Sequence, residues 1–497
     1  MAPHEVGDVA TKPSGARPSK RPSRAAWYPY GVPPPPPPAL LARESTHGRR
    51  LLAGVTLGSG VAILDGSVVN VALRTIGRDL DASLAQLQWV VNGYLLALAS
   101  LVLVGGALGD RLGRRRVYLV GVAWFMVASA LCALAQSPLQ LIGLRVLQGV
   151  GAALLTPGAL ALIQASFRPE DRAPAIGTWA GLSGVAAALG PVLGGWIVDH
   201  ASWRWIFAIN VPLCLGVLWL TGRHAPESRD TEATGRFDVP GAALTVVALG
   251  SATYALTAAA EAPASVVVLA LAVAVVAAAG FVVREAHTAS PLVPLSLFRS
   301  RVFSAANAMT VLVYGALGGV SLFTVLQLQA AGWGALAAGL SGLPITVALL
   351  LLSSRAAALS ARIGPRVPMT VGPLICSAGA LLLLLVAEEA TWLRVLPGMV
   401  VFSLGLALLV SPLTAAVLAA APGRYAGAAS GVNNAVARAG SLLAVAALPA
   451  LVGLSGDDYL DLEAMTAGYR GAMTWCAALL ALGGVVSWFG LGAGERR

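Results

Sequence analysis

The feature that most constrains this chain is a series of fourteen apolar segments, each about 20 residues long, filling it from Leu51 almost to the C-terminus. They begin near Leu51, Gln86, Val117, Leu139, Ala175, Trp203, Pro240, Ser265, Val302, Ala335, Val367, Trp392, Ala426 and Gly468. At about 1.5 Å of rise per residue, a helix of that length crosses a hydrocarbon core of roughly 30 Å. Lipid satisfies no backbone hydrogen bond, so a single spanning segment of this length must be a helix. Composition excludes the soluble alternative. Charged residues make up 11% of the 497, where a soluble domain carries about a quarter, so no polar shell could cover the core. The expected class is an all-α polytopic protein of the cell membrane, with the lipid bilayer as its solvent.

Loop charges test the span count. With the N-terminus inside, 26 of the 33 basic residues fall in inside segments. Arg74, Arg78, Arg204, Arg394 and Arg470 fall outside, while Arg145 and Arg438 lie within spans. This alternation follows the positive-inside rule and predicts that both termini are cytoplasmic. It also explains the net charge of +10 without nucleic acid, because the basic residues punctuate apolar runs instead of forming one patch.

Other classes lack their apparatus. No lysine follows Lys20, so a Walker A lysine is missing from the spans and no ATP-driven pump is expected. The five histidines lie in the tail or loops, and neither HExxH nor GxSxG occurs, which argues against an embedded hydrolase. Cys132, Cys214, Cys376 and Cys476 sit singly inside apolar runs, supporting neither a metal site nor a disulfide. No enzyme activity, cofactor or metal is expected.

The chain also repeats itself. LGDRLGRR (Leu108 to Arg115) after the second span is echoed by LSARIGPR (Leu359 to Arg366) after the tenth. Matching loops in two halves are the mark of a transporter built from repeats. The expected division is a disordered, basic, Pro-rich tail over 1–50, six-helix bundles over 51–222 and 302–490, and a short tail over 491–497. Residues 223–301 form a central linker whose two extra spans (about 240–283) are Ala/Val-rich and read as an insertion. One chain holds both halves, so a monomer suffices.

Asp65 is the one acidic residue deep in any span, and an intramembrane carboxylate is a functional candidate by default. It is placed about eight residues from the outer end of its helix, and Arg145 about six from the outer end of the fourth, so the two are expected to meet. A nearby arginine favours the charged form of a carboxylate, and burial without one favours the protonated form. Alternating those surroundings would load and release a proton; the competing reading is a static buried pair that fixes packing. Gln148 and Thr156 share the face of Arg145 and are expected at the cavity. Asn70, Gln327, Asn433, Asn434 and Arg438 are the remaining lining candidates, Asn70 reading as a helix–helix hydrogen bond before a ligand contact. Arg438 should lie near the midplane with no acid in its own half.

Several motifs carry a family resemblance. GALGDRLGRRR (Gly106 to Arg116), RVLQGVGAALLTPGAL (Arg145 to Leu160) and GPVLGG (Gly190 to Gly195) resemble those of the major facilitator superfamily. LDGSVVNVAL (Leu64 to Leu73), WRWIFAINVPL (Trp203 to Leu213), GALAAGLSGLP (Gly334 to Pro344) and SGVNNAVARAG (Ser430 to Gly440) resemble its fourteen-span drug:proton antiporter branch. Two positions depart from the pattern: Ala186 replaces a glycine, and Arg74 stands where a proline often ends the first-span motif. The resemblance implies a major facilitator fold of two six-helix bundles plus two extra central helices. It also implies a conformational latch at Gly106, Asp110, Arg111, Gly113, Arg114 and Arg115, although the loop could serve as a topogenic signal alone. Gly190, Pro191, Gly194 and Gly195 would form the antiporter motif. The function expected is proton-coupled export of a small, largely apolar compound, with proton and substrate exchanging at an overlapping cavity. The alternatives are a lipid or lipid-precursor flippase of the same fold, an embedded enzyme, or a receptor that does not transport.

Overall fold

The structure, a computed structural model, describes residues 40–229, 238–288, 291–387, 389–422 and 425–492. The expected proline-rich tail therefore lies mostly outside the described residues. Among the described residues, fourteen helices are long and apolar enough to cross a membrane. The first six are α1 (Thr46–Leu80), α2 (Leu84–Leu112), α3 (Arg114–Ala133), α4 (Pro138–Ser166), α5 (Pro169–His200) and α6 (Trp205–His224). Then come α7 (Val239–Ala258) and α8 (Ala264–His287). The last six are α9 (Arg301–Ala330), α10 (Ala335–Ile363), α11 (Arg366–Ala387), α12 (Trp392–Ala419), α13 (Ala426–Leu451) and α14 (Leu462–Gly490). Among the described residues the only β pairing is an isolated bridge between Leu41 and Phe167.

Local chemistry sets many of the helix starts. Ser45, Ser83, Ser137 and Asp461 each accept a hydrogen bond from a backbone N–H of the first turn, replacing the partner that turn lacks. At Ser83 the cap is reciprocal, Gln86 returning a bond to the Ser83 amide. The two repeated loops fold alike. Gly113 between α2 and α3 has φ +113°, and Gly364 between α10 and α11 has φ +83°. Each donates its N–H four residues back, to Gly109 at 3.1 Å and to Ser360 at 2.9 Å. A β-carbon is strained at such φ values, so the shared glycine is what permits the turn.

The helices pack as two groups. α1 lies against α5 and α6, α4 against α2 and α3, and α3 against α6. In the second group α9 packs on α13 and α14, while α12 packs on α10 and α11. The α7–α8 pair is more than a peripheral insertion. α7 packs against both α2 and α13, at the seam between the groups, while Val268, Leu269, Val275 and Val276 of α8 are exposed on the apolar outer face.

α1 is longer than its apolar core. It runs on through Arg74 and Arg78 to Leu80, so Asp65 lies about 15 residues from that end instead of about eight. The reason is that Arg74 finds backbone carbonyl partners instead of solvent, as described below.

Candidate transport site

Asp65 and Arg145 meet, as their isolation in apolar helices predicts. Arg145 Nη1 donates to Asp65 Oδ2 at 2.5 Å, and both residues are sealed, at 1% and 0% exposure. The other carboxylate oxygen accepts from Gln148 Nε2 at 2.8 Å and Asn210 Nδ2 at 3.0 Å. Gln148 and Asn210 also donate to Ser129 Oγ, at 3.1 and 2.9 Å. Arg145 spends Nε on the Val90 carbonyl and stacks its guanidinium 4.4 Å from the centre of the Tyr94 ring. Four helices thus converge on one carboxylate. Such saturation offsets the cost of taking an ion pair out of water.

The network sits behind the wall of a cavity, not in it. A space of about 830 Å³ is bounded by α1, α5, α9, α10 and α12, and its lining carries no charged side chain. A second space of about 410 Å³ is bounded by α1, α2, α9, α12 and α13. Asn70, Leu317 and Ser321 line both, so the two are lobes of one region. Gly66, next to Asp65 in the chain, lines the smaller lobe, and the Tyr94 ring lies against it. The larger lobe extends from Val71 towards Gly177 of α5 and Ser354 of α10, away from the Leu80 end of α1.

At the Leu80 end the two groups are bolted together. Arg74 donates to the carbonyls of Gln329 and Leu460, and Gln329 returns a bond to the Val71 carbonyl at 2.7 Å. The Asp199 carboxylate accepts from the amides of Ala335 and Leu336, both at 2.8 Å. Gln88 donates to the carbonyls of Val445 and Ala446, and Tyr459 to that of Ala82. Motif glycines set the closeness of approach here. A β-carbon on Gly190 would lie 2.0 Å from Ser67 Oγ, and one on Gly194 2.1 Å from Val68. One on Gly195 would lie 2.4 Å from the Leu336 backbone, and the Pro191 carbonyl faces Gly339 as closely.

At the opposite end, Asp110 pairs with Arg114 at 2.8 Å within the α2–α3 turn. Arg115 donates to the Gly222 carbonyl, and Arg111 is half-buried. The Glu227 carboxylate accepts from the amides of Arg115 and Arg116, each at 3.2 Å, and so caps the start of α3. Gly113 leaves the room it occupies, since a β-carbon there would lie 2.6 Å from Glu227 Oε1. Gly106 makes only ordinary contact with Pro157; the tight approach falls on its neighbour Gly105, against the Ala153 carbonyl.

The lining candidates separate. Asn70, Asn433, Asn434 and Arg438 line the cavity. Gln148 belongs to the Asp65 network, Gln327 donates to Thr466, and Thr156 borders neither lobe. Sequence reasoning missed Ser129, Asn210, Glu227, Asp199 and the bonding of Arg74. Asn210 sits within the quoted WRWIFAINVPL run, and its polarity in an apolar helix was the available signal.

A cavity held between two groups of membrane helices, closed at one end and backed by a sealed ion pair, defines a membrane transporter. Comparison with known proteins gives the family. A sequence profile described as the Major Facilitator Superfamily matches residues 55–445, and the chain belongs to that superfamily, a family of transporters. It is 35% identical to the tetracenomycin C resistance and export protein of Streptomyces glaucescens, over 81% of this chain and 75% of that one. It is 34% identical to the methylenomycin A resistance protein of Bacillus subtilis, over 90% and 96%. With the multidrug efflux pump LfrA of Mycolicibacterium smegmatis the figures are 33%, 82% and 81%. Among solved structures, an inward-facing, unoccupied bacterial homologue of the human lysosomal transporter Spinster superposes with TM-score 0.65 at 17% identity. That match covers 90% of this chain and 97% of that one, and at such identity it shows the fold alone. The chain is thus a multi-pass membrane transporter related to drug-export proteins, with small molecules as its class of substrate.

Proposed function

We propose that the protein is a proton-coupled antiporter that exports a small, largely apolar compound, working as a monomer with both termini in the cytoplasm. In that orientation the Leu80 end of α1 faces outside and the cavity opens inward. Asp65 is the proton site, Arg145 its counter-ion, and the α2–α3 turn the latch that holds the alternate state. Gly190 to Gly195 forms the close interface of α5 with α1 and α10.

The observation that carries this reading is the position of the Asp65–Arg145 pair, fully buried yet one residue from the cavity wall at Gly66. Apolar residues usually replace a buried ion pair without loss of stability, so packing alone does not call for one here. Withdrawing Arg145 during the switch between states would leave a buried carboxylate that favours its protonated form. The pair is thereby suited to take a proton in one state and release it in the other. The antibiotic resistance and export proteins among the relatives support the direction of transport.

The test uses inverted membrane vesicles with an acidic interior and a diverse compound panel. Uptake driven by the pH gradient is expected for wild type and should be lost in Asp65→Asn, whose thermal midpoint stays within a few degrees. Equal uptake by both proteins would remove Asp65 from coupling. An unfolded Asp65→Asn protein would support the static pair instead.

A further inference from the structure

We propose that the compound carried is an organic monoanion, a carboxylate or phenolate on an apolar ring body, with its charged end on Arg438. This deepens the transport function proposed above and rests on it.

Arg438 is the one formally charged residue in the lining of either lobe, and no carboxylate joins it there. It makes no hydrogen bond or ion pair with any described residue, unlike the buried Arg145 and Arg74. Arg438 is half-buried at the cavity wall, and none of its five donors is taken by a described protein group. No carboxylate in the lining answers its charge, and an anion from the cytoplasm would.

The helix presents the rest of a binding stripe. Ser430, Asn434 and Arg438 follow one another at four-residue spacing, and Ser441 lies three further on, so all four share one face of α13. All four line the smaller lobe. Asn434 has no protein partner among the described residues, whereas Asn433 spends its amide on Asn307 and Thr310 of α9, at 3.2 and 2.9 Å. Asn433 therefore fixes the rotation of α13, while Asn434 and Arg438 remain open to a ligand. A planar guanidinium beside an amide donor suits the two oxygens of a carboxylate, or one phenolate oxygen.

The larger lobe selects the remainder of the molecule. It continues from the shared residues Asn70, Leu317 and Ser321 into aliphatic walls including Ile345, Leu349, Leu350 and Met399. Its volume of about 830 Å³ is in the range of pockets that bury drug-sized ligands. A cation would meet Arg438 with no acid to offset it. Export of an anion against entry of a proton would also move two charges in the direction an inside-negative potential favours.

The test uses three pyrene compounds that share one ring system: pyrenebutanoate, its primary amide, and pyrenebutylamine. Binding is read by fluorescence on purified protein in nanodiscs, with protein-free nanodiscs as the blank. Wild type, Arg438→Lys and Arg438→Gln are compared. The butanoate should bind at least tenfold more tightly than the amide or the amine. Arg438→Gln should abolish that preference without changing amide binding, and Arg438→Lys should keep part of it. The proposal is overturned if the amine binds as well as the butanoate, if Arg438→Gln weakens all three alike, or if none binds. Uptake into acid-loaded inverted vesicles separates the two readings. Arg438-dependent anion binding without gradient-driven uptake removes the antiporter and leaves the anion site. Gradient-driven uptake with no charge preference removes the anion site and leaves the antiporter.

Discussion

Replacing Arg74 with methionine should open the Leu80 end of the molecule. Arg74 joins α1 to the carbonyls of Gln329 on α9 and Leu460 in the loop before α14. Each hydrogen bond from a charged donor contributes about 1.5–3 kcal/mol. Against this, Nε of Arg74 is buried without a partner, a cost of about 1–3 kcal/mol. In a state open at this end the whole guanidinium would be hydrated. Two such bonds less that cost leave a net bias towards the closed end centred on roughly 2–3 kcal/mol, or about 30- to 150-fold in the equilibrium. Methionine keeps most of the aliphatic volume and removes every donor.

The assay is alkylation of a cysteine placed at Ser321, which lines both lobes of the cavity. The four native cysteines are buried and contribute little background. A membrane-impermeant maleimide is added at the face that the Leu80 end reaches. While the closed form dominates, the labelling rate follows the open fraction, so it should rise about 30- to 150-fold in Arg74→Met. Gln329→Met, which removes the return bond to Val71, should raise it as well. The two variants remove different bonds, but the residues adjoin, so the double variant should fall short of the product of the single effects. An unchanged rate in a folded Arg74→Met protein would refute the assignment of this contact as a seal.

Gln148→Leu should lower thermal stability more than Asn210→Leu. Both remove a donor to Asp65 Oδ1, but Gln148 also accepts from Arg145 at 2.6 Å; unfolding in detergent should register about 2–4 kcal/mol for the first and about 1–3 for the second. Gly113→Ala should cost about 1–3 kcal/mol from its φ of +113° alone, while Glu227→Ala should leave that strain untouched and lose only the cap of α3, about 1 kcal/mol by the same measurement. Gly195→Ala should raise maleimide labelling at Ser321→Cys, because its β-carbon meets the Leu336 backbone, which cannot turn aside as a hydroxyl could. Gly177→Ala, with no atom within 4 Å of the added carbon, should leave thermal stability unchanged.

Much of this molecule is legible in its sequence, for reasons that differ by element. The spans are readable because each must be apolar along its whole length, and that signal is local. Their ends are less so: Arg74 and Arg78 read as loop residues, yet α1 continues to Leu80 because carbonyls on other helices receive Arg74. Asp65 and Arg145 could be paired in advance because two opposite charges stood alone in the apolar helices of one half. Ser129 and Asn210, which complete that site, are neutral and small in area, and nothing in their spacing points to a carboxylate several turns away on another helix. Glu227 is a loop charge among many until the turn at Gly113 gives its carboxylate a place. The position of α7 between α2 and α13 depends on long-range packing that its uniform Ala/Val composition does not encode.

The geometry of α1 bears on how two solutes could exclude one another. The sequence suggested one overlapping cavity, but Asp65 is fully buried and borders neither lobe. At about 100° per residue, Ser67, Asn70, Val71 and Arg74 lie roughly 140–240° around the helix from Asp65. One side of α1 holds the ion pair, and the other lines the cavity through Ser67, Asn70 and Val71 and holds the seal through Arg74 and the Val71 carbonyl. A proton on Asp65 and a compound beside Asn70 do not compete for the same space. In the proposed antiport their exclusion would pass through α1, by a rotation or tilt that loosens Arg145 from Asp65 as it releases Arg74 from its carbonyls. The small residues facing it support such a movement, since Gly190 and Gly194 let α1 lie closely against α5 without interlocking side chains. On that proposal the coupling element is a helix with a site on each side, and the proton and the compound would act on its position.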